Sequence, residues 1–236
     1  MSMGRRPLPR PTQRPEPADR VETFAGLPAT VVGSMPASAG VVVLLHGYGM
    51  EPEDLAPFAR SLGVPAVFVF PRGPVHVATG GRAWWAVDED ARAAELERGP
   101  RDLASWVPDG LPAARRMLRE VLEAVRAWSG CASLVLGGFS QGAMLACDQA
   151  ILAASPLRGL VLMSATRLAL PSWQAGLDRV RDLPVLLSHG TQDGDLAFAG
   201  GEALRDTLAG AGARVAWVPF DQGHVIPLVV WRAVRK

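Results

Sequence analysis

The sequence predicts an α/β fold with a mainly parallel sheet and helices on both faces, and three observations carry that expectation. Short apolar runs rich in β-branched residues alternate with amphipathic stretches from residue 21 onward, the pattern of repeated βαβ units. The run Val41-Val42-Val43-Leu44-Leu45 is apolar at every position, as a strand covered on both faces must be. At 236 residues, 49% of them hydrophobic, the chain can fill one large core of the size that single α/β domains reach.

Taken in order, the chain opens on a segment unlike the rest. Residues 1–20 hold Pro7, Pro9, Pro11, Pro15 and Pro17 with Arg5, Arg6, Arg10, Arg14 and Arg20, and almost nothing apolar. Such a segment cannot bury enough surface to offset its ordering entropy, so a disordered or extended tail is expected. The Arg5-Arg6 pair invites a twin-arginine export reading, but no apolar stretch follows it. Strands are expected at Val41–Leu45, Ala66–Phe70, Ser133–Leu136, Gly159–Met163, Pro184–Ser188 and Val215–Val218. Helices are expected between them. Pro52–Leu62 carries Leu55, Phe58, Ala59 and Leu62 on one stripe. Leu111–Trp128 carries Met117, Leu118, Val121, Leu122, Val125 and Trp128 at helical spacing. Gln141–Ala154 and Gly201–Ala211 complete the set.

Residues 71–109 break this rhythm. They show no convincing strand and contain Gly80-Gly81, Trp84-Trp85 and Asp88-Glu89-Asp90. A connection well beyond ~15 residues inside a compact domain is usually a lid, a binding loop or disorder. The tryptophans argue against disorder, so a partly helical excursion, a loop or lid over one end of the sheet, is expected within a domain spanning 21–236.

Composition removes whole classes of function. The 24 basic and 23 acidic residues leave a net charge of +1, without the clustered basic excess of a nucleic-acid binder. That balance averages a tail with five arginines against Glu16 and Asp19 and a slightly acidic body. The only lysine is Lys236, which excludes a P-loop, a Schiff-base lysine and Ser-x-x-Lys chemistry. Cys131 and Cys147 have no C-x-x-C spacing, and no H-E-x-x-H exists, so neither a metal nor another cofactor is expected. Two reduced thiols suit a cytoplasmic protein. The apolar stretch Val225–Trp231 is interrupted by Pro227 and falls short of the ~20 residues of a membrane span.

What remains is serine chemistry. Gly138-Phe139-Ser140-Gln141-Gly142 fits G-x-S-x-G, and its force lies in its context between a buried strand and a helix. A serine at such a turn sits in strained backbone with its hydroxyl above the sheet. The hydroxyl needs a base, and the base an orienting acid. In the order Ser…Asp…His, two histidines follow Ser140. His189 ends a strand and is followed by Gly190-Thr191-Gln192-Asp193; His224 follows Phe220-Asp221-Gln222-Gly223. The expected triad is Ser140, Asp193 and His224, each in a loop after a strand C-terminus, with Asp195 and Asp221 as competing acids and His189 structural. The oxyanion would be held by the backbone N–H of Gln141 and of Tyr48, in Leu45-His46-Gly47-Tyr48-Gly49, with His46 ordering that loop.

These motifs, with Phe70-Pro71-Arg72-Gly73-Pro74, His189-Gly190-Thr191-Gln192-Asp193 and Gly223-His224, resemble those of the phospholipase/carboxylesterase family of α/β-hydrolases, related to acyl-protein thioesterases. The resemblance covers about residues 30–235. It implies the α/β-hydrolase fold, the same triad and oxyanion donors, and hydrolysis of short-to-medium acyl esters, or of thioesters or lysophospholipids. A catalytically silent binding protein on the same fold is the alternative outside enzymes. Gly81-Arg82-Ala83-Trp84-Trp85 resembles the family's Arg/Trp loop, which implies that Trp84 and Trp85 line a substrate pocket or anchor the loop. Two departures stand out: the long acidic run Asp88–Asp90, and Gly194-Asp195-Leu196-Ala197 where the family continues after the acid with an apolar residue and a proline.

Overall fold

The computed structural model describes residues 19–34 and 40–235. The expected tail lies outside the described residues, except for Asp19 and Arg20. Arg20 already belongs to the fold. It opens strand β1 (Arg20–Phe24), donates to Gly33 O at 3.0 Å and lies over the Trp128 ring at 5.5 Å.

β1 and β2 (Leu27–Val32) form an antiparallel hairpin that the sequence reading does not contain. Its two-residue turn is Ala25-Gly26, both at positive φ (49° and 83°), the geometry that matches the twist of the paired strands. An Ala-Gly turn lacks the Asn-Gly or Asp-Gly signal, and β1 has an exposed face that includes Val21. Neither feature shows as an apolar run.

The central strands explain why the sheet is covered twice. In β3 (Val41–Leu45), Val41, Val43 and Leu45 enter one core layer and Leu44 the other. β4 (Val67–Pro71) repeats this, with Val67 and Val69 on the first side and Phe68 and Phe70 on the second. β7 (Leu134–Phe139), β8 (Leu157–Met163), β9 (Pro184–Gly190) and β10 (Arg214–Phe220) complete an eight-stranded sheet ordered β1-β2-β4-β3-β7-β8-β9-β10. β2 runs antiparallel to β1 and β4, and all other neighbours are parallel. Strands β4, β7, β9 and β10 each extend past their expected C-terminal ends, whereas β8 ends at Met163 as expected and starts two residues earlier; ladder bonds join backbone groups and do not stop where an apolar run stops.

Helices α3 (Leu111–Ser129), α4 (Gln141–Leu152) and α5 (Phe198–Gly210) fill one core layer; α1 (Ala56–Leu62) and α6 (Leu228–Val234) fill the other. α3 shows how the sequence dictates this. Leu111, Leu118, Val121, Leu122 and Val125 are buried on one stripe, each contributing about 1.5–3 kcal/mol relative to exposure, and Gly130 at φ 69° ends the helix. α6, unread from the sequence, follows Pro227 and stacks Trp231 on Phe58 at 4.6 Å.

The excursion over 71–109 holds more order than expected. It contains the paired two-residue strands β5 (Val75–His76) and β6 (Arg82–Ala83), then helix α2 (Glu89–Leu96), capped by the Asp88 side chain accepting from Ala91 N at 3.0 Å. Two-residue strands carry no periodicity to detect. Among the described residues, no helix is long and apolar enough to cross a membrane.

Candidate active site

Ser140 sits between β7 and α4 at φ 51° and ψ −117°. A non-glycine residue there costs about 1–3 kcal/mol and persists only where its surroundings over-determine it. They do so here: Ser140 N donates to Met163 O at 2.9 Å, and Ser140 O accepts from Met144 N at 3.0 Å. Gly142 lets the first turn of α4 press against the end of β3. A Cβ at Gly142 would stand 2.4 Å from Leu45 O and 2.5 Å from His46 O. This contact brings the loop after β3 beside the serine.

That loop is built around His46, which is fully buried. Its Nδ1 donates to Gly47 O at 2.8 Å and its Nε2 accepts from Gly73 N at 2.9 Å, an arrangement that needs the neutral ring. Burial lowers the His46 pKa, keeping it neutral. Tyr48 lies two residues on. Among the described residues, neither the Tyr48 nor the Gln141 backbone N–H is paired within the chain. Both are therefore free to receive an oxyanion.

The Gln141 side chain has a role that sequence reasoning missed. Its Oε1 accepts from Trp84 N at 2.8 Å and its Nε2 donates to Trp85 O at 3.0 Å. Trp84 Nε1 donates in turn to His46 O at 2.9 Å. Trp84 and Trp85 are 2% and 1% exposed, so they tie the excursion to the serine turn and to the loop after β3. Together with Trp106, Val107 and Met117 they also wall an apolar cleft of about 500 Å³.

Asp193 and His224 meet after β9 and β10. His224 Nδ1 lies 2.6 Å from Asp193 Oδ2. Gly190 makes room for this approach, since a Cβ there would fall 2.3 Å from both Gln222 O and Gly223 O. The other carboxylate oxygen, Asp193 Oδ1, accepts from Asp195 N and Leu196 N, each at 2.9 Å. Burial pushes the Asp193 pKa up, yet the His189 and His224 imidazoles and the Leu196 N–H outweigh it and hold the carboxyl well below its usual range. The His224 ring packs on Phe139, the residue before Ser140, at 4.8 Å. Among the described residues no hydrogen bond joins Ser140 Oγ to His224; such contacts are commonly loose until substrate binds.

The competing side chains are engaged elsewhere. Asp221 accepts from Thr191 Oγ1 at 3.2 Å and Gln192 Nε2 at 2.8 Å. Asp195 is held by two arginines, Arg92 at 2.6 Å and Arg101 at 2.5 Å. His189 is fully buried, donates from Nε2 to Leu196 O at 3.1 Å and lies 3.3 Å from Asp193 Oδ2, steadying the acid's loop. Among the described residues no cluster of three His, Cys, Asp or Glu side chains could hold a metal ion.

Similarity to known proteins agrees with this fold. The esterase PE8 is 26% identical, superimposes with a TM-score of 0.74, and is matched over 89% of this chain and 96% of its own. A carboxylesterase from Bacillus cereus is 23% identical with a TM-score of 0.70, over 89% and 92% of the two chains. One from Mesorhizobium loti is 21% identical with a TM-score of 0.73, over 92% and 96%. No curated protein matches the chain. Residues 27–236 match the phospholipase/carboxylesterase family, and with the α/β-hydrolase fold already described, the chain belongs to that family of carboxylic ester hydrolases.

Proposed function

We propose that the protein is a serine carboxylesterase that cleaves short-to-medium acyl esters through Ser140, His224 and Asp193. The observation that carries this reading is the 2.6 Å contact between His224 Nδ1 and an ionised Asp193, in loops at the same C-terminal sheet edge as a strained Ser140. The carboxylate accepts the Nδ1 proton, which leaves Nε2 unprotonated and able to act as a base.

Ser140 Oγ attacks the ester carbonyl carbon as its proton passes to His224 Nε2. The resulting oxyanion is held by the Tyr48 and Gln141 N–H groups, each such donor being worth roughly 10²–10³ in rate. Asp193 stabilises the imidazolium. The C–O bond to the alcohol then breaks, and the alcohol departs with the proton from His224. Water attacks the acyl-enzyme, again losing a proton to His224, and the acid is released with Ser140 regenerated. Every step uses side chains and backbone of this chain. The same sequence of bonds cleaves a thioester, with a thiol as the leaving group.

The test compares wild type with Ser140→Ala on p-nitrophenyl acetate and butyrate, beside an acyl thioester and a lysophospholipid. Loss of about 10³-fold or more in kcat/KM with Ser140→Ala is expected, together with fluorophosphonate labelling of the wild-type serine. Equal rates in the two proteins would sink the assignment. A rate on the thioester exceeding that on every oxygen ester would reassign the enzyme as a thioesterase.

A further inference from the structure

The two places where the sequence departs from its family meet in space. Arg92, on α2 just after the acidic run 88–90, places NH2 2.6 Å from Asp195 Oδ2. Glu89, one turn earlier, accepts the Tyr48 phenol proton at 2.5 Å. Arg92 also lies 3.4 Å from Glu89 and over the Tyr48 ring at 5.8 Å. The four side chains form one chain of contacts from the loop after β3 to the loop after β9.

Sheet order says what lies between. β7, which presents Ser140, and β8 stand between β3 and β9, so the linkage spans roughly 14 Å at about 4.8 Å per strand. The backbone is stitched down at both ends of the same segment. Gly49 N donates to Arg82 O at 2.9 Å and Arg82 N to Met50 O at 3.0 Å on the β3 side. Arg101 N donates to Asp195 O and Ala197 N to Arg101 O, both at 2.9 Å, on the β9 side. Residues 82–101 therefore bridge the C-terminal edge of the sheet over the strand that carries the serine.

We propose that α2 is a crossbar over the substrate mouth, pinned by Arg92–Asp195 and Glu89–Tyr48, and that Glu89 and Arg92 set the upper size of the acyl group the enzyme accepts. The proposal rests on the reading of Ser140 as the nucleophile. The crossbar presents charged groups that are already paired, so a long apolar chain pressed against it must displace an ion pair while gaining no apolar partner. Behind it, Asp88 stands on the wall of the apolar cleft formed by Trp84, Trp85, Trp106, Val107 and Met117. Freeing α2 opens a route from Ser140 toward that surface. Glu89 and Arg92 do not touch the reacting atoms; they determine specificity.

The experiment is an acyl-length series of p-nitrophenyl acetate, butyrate, hexanoate and octanoate with wild type, Arg92→Ala, Glu89→Gln and Arg92→Lys. The wild type is expected to favour acetate and butyrate. In Arg92→Ala and Glu89→Gln the octanoate-to-acetate ratio of kcat/KM should rise about tenfold or more while acetate stays within about threefold, and Arg92→Lys should hold the wild-type ratio. Both side chains are partly exposed, so the variants should fold, and melting curves check that they do. An unchanged ratio in both, or a parallel fall on all esters, overturns the proposal. That failure leaves Ser140-dependent turnover intact, whereas failure of the nucleophile assignment shows as turnover that survives Ser140→Ala.

Discussion

Replacing Asp193 by Asn should reverse the tautomer of His224. Asp193 Oδ1 accepts two backbone N–H groups, from Asp195 and Leu196, both at 2.9 Å. Only the amide oxygen of an asparagine can occupy that position. Its NH2 must then face His224 Nδ1, where the carboxylate oxygen stands at 2.6 Å, and it donates there instead of accepting. The ring proton is driven onto Nε2, the nitrogen that must take the serine proton. In serine proteases the same reversal costs about 10⁴ in kcat, so a loss of about 10³–10⁴, or about 4–5.5 kcal/mol of transition-state stabilisation, is expected here. Stability should fall by about 1.5–3 kcal/mol, because a buried charge-assisted bond is lost. For a chain of this size that is a drop in Tm of roughly 3–12 °C. Initial rates on p-nitrophenyl acetate near neutral pH, taken well below the variant's melting point, measure the effect. A folded Asp193→Asn protein losing less than about tenfold in kcat/KM would refute the assignment of Asp193 and the tautomer argument together.

Two further outcomes are expected. Tyr48 is the only tyrosine in the chain, and burial with the Glu89 hydrogen bond pushes its pKa up to about 12; phenolate absorbance should therefore be nearly absent at about pH 10 and reach only about a tenth of its full value at about pH 11, and Glu89→Gln should bring its onset back toward the ordinary value of about 10. Because the folded value exceeds the unfolded one, the stability this bond contributes is complete below about pH 10 and is lost as pH rises through about 12, which alkaline melting curves of wild type and Glu89→Gln would show; coincident curves and titrations would dispose of the Tyr48–Glu89 link. Gly142→Ala sets a Cβ 2.4 Å from Leu45 O, a backbone atom that cannot yield cheaply, so a loss of about 1–3 kcal/mol is expected; an unchanged Tm would mean that α4 and β3 do not approach as described.

The parts of the fold that read clearly are those whose signal is local. β3 is matched residue for residue because all five of its side chains are apolar, and α3 to within one residue because its apolar stripe repeats along most of its length. The hairpin β1–β2, the ribbon β5–β6 and helix α6 are invisible for the opposite reason: an Ala-Gly turn, two-residue strands and a seven-residue helix carry too little periodicity. At the site, Ser140 is legible because its strand–turn–helix setting is local. The sequence favours Asp193 by its place after a strand, with Asp195 and Asp221 close enough in the chain to compete. The carboxylate that meets His224 depends on how closely the loops after β9 and β10 approach, and that approach runs through Gly190.

The chain alone determines its chemistry by type. A single terminal lysine, two unclustered cysteines and a serine at a strand-to-helix turn are the features on which the proposed serine mechanism rests. The tertiary structure alone decides how those residues are held and what restrains access to them. Arg92 and Asp195 are 103 positions apart, and Gln141 is 57 from the tryptophan N–H that it binds. No local pattern encodes such pairs. They form because a right-handed parallel sheet gathers the C-terminal ends of distant strands along one edge, where side chains that are unremarkable in sequence become neighbours.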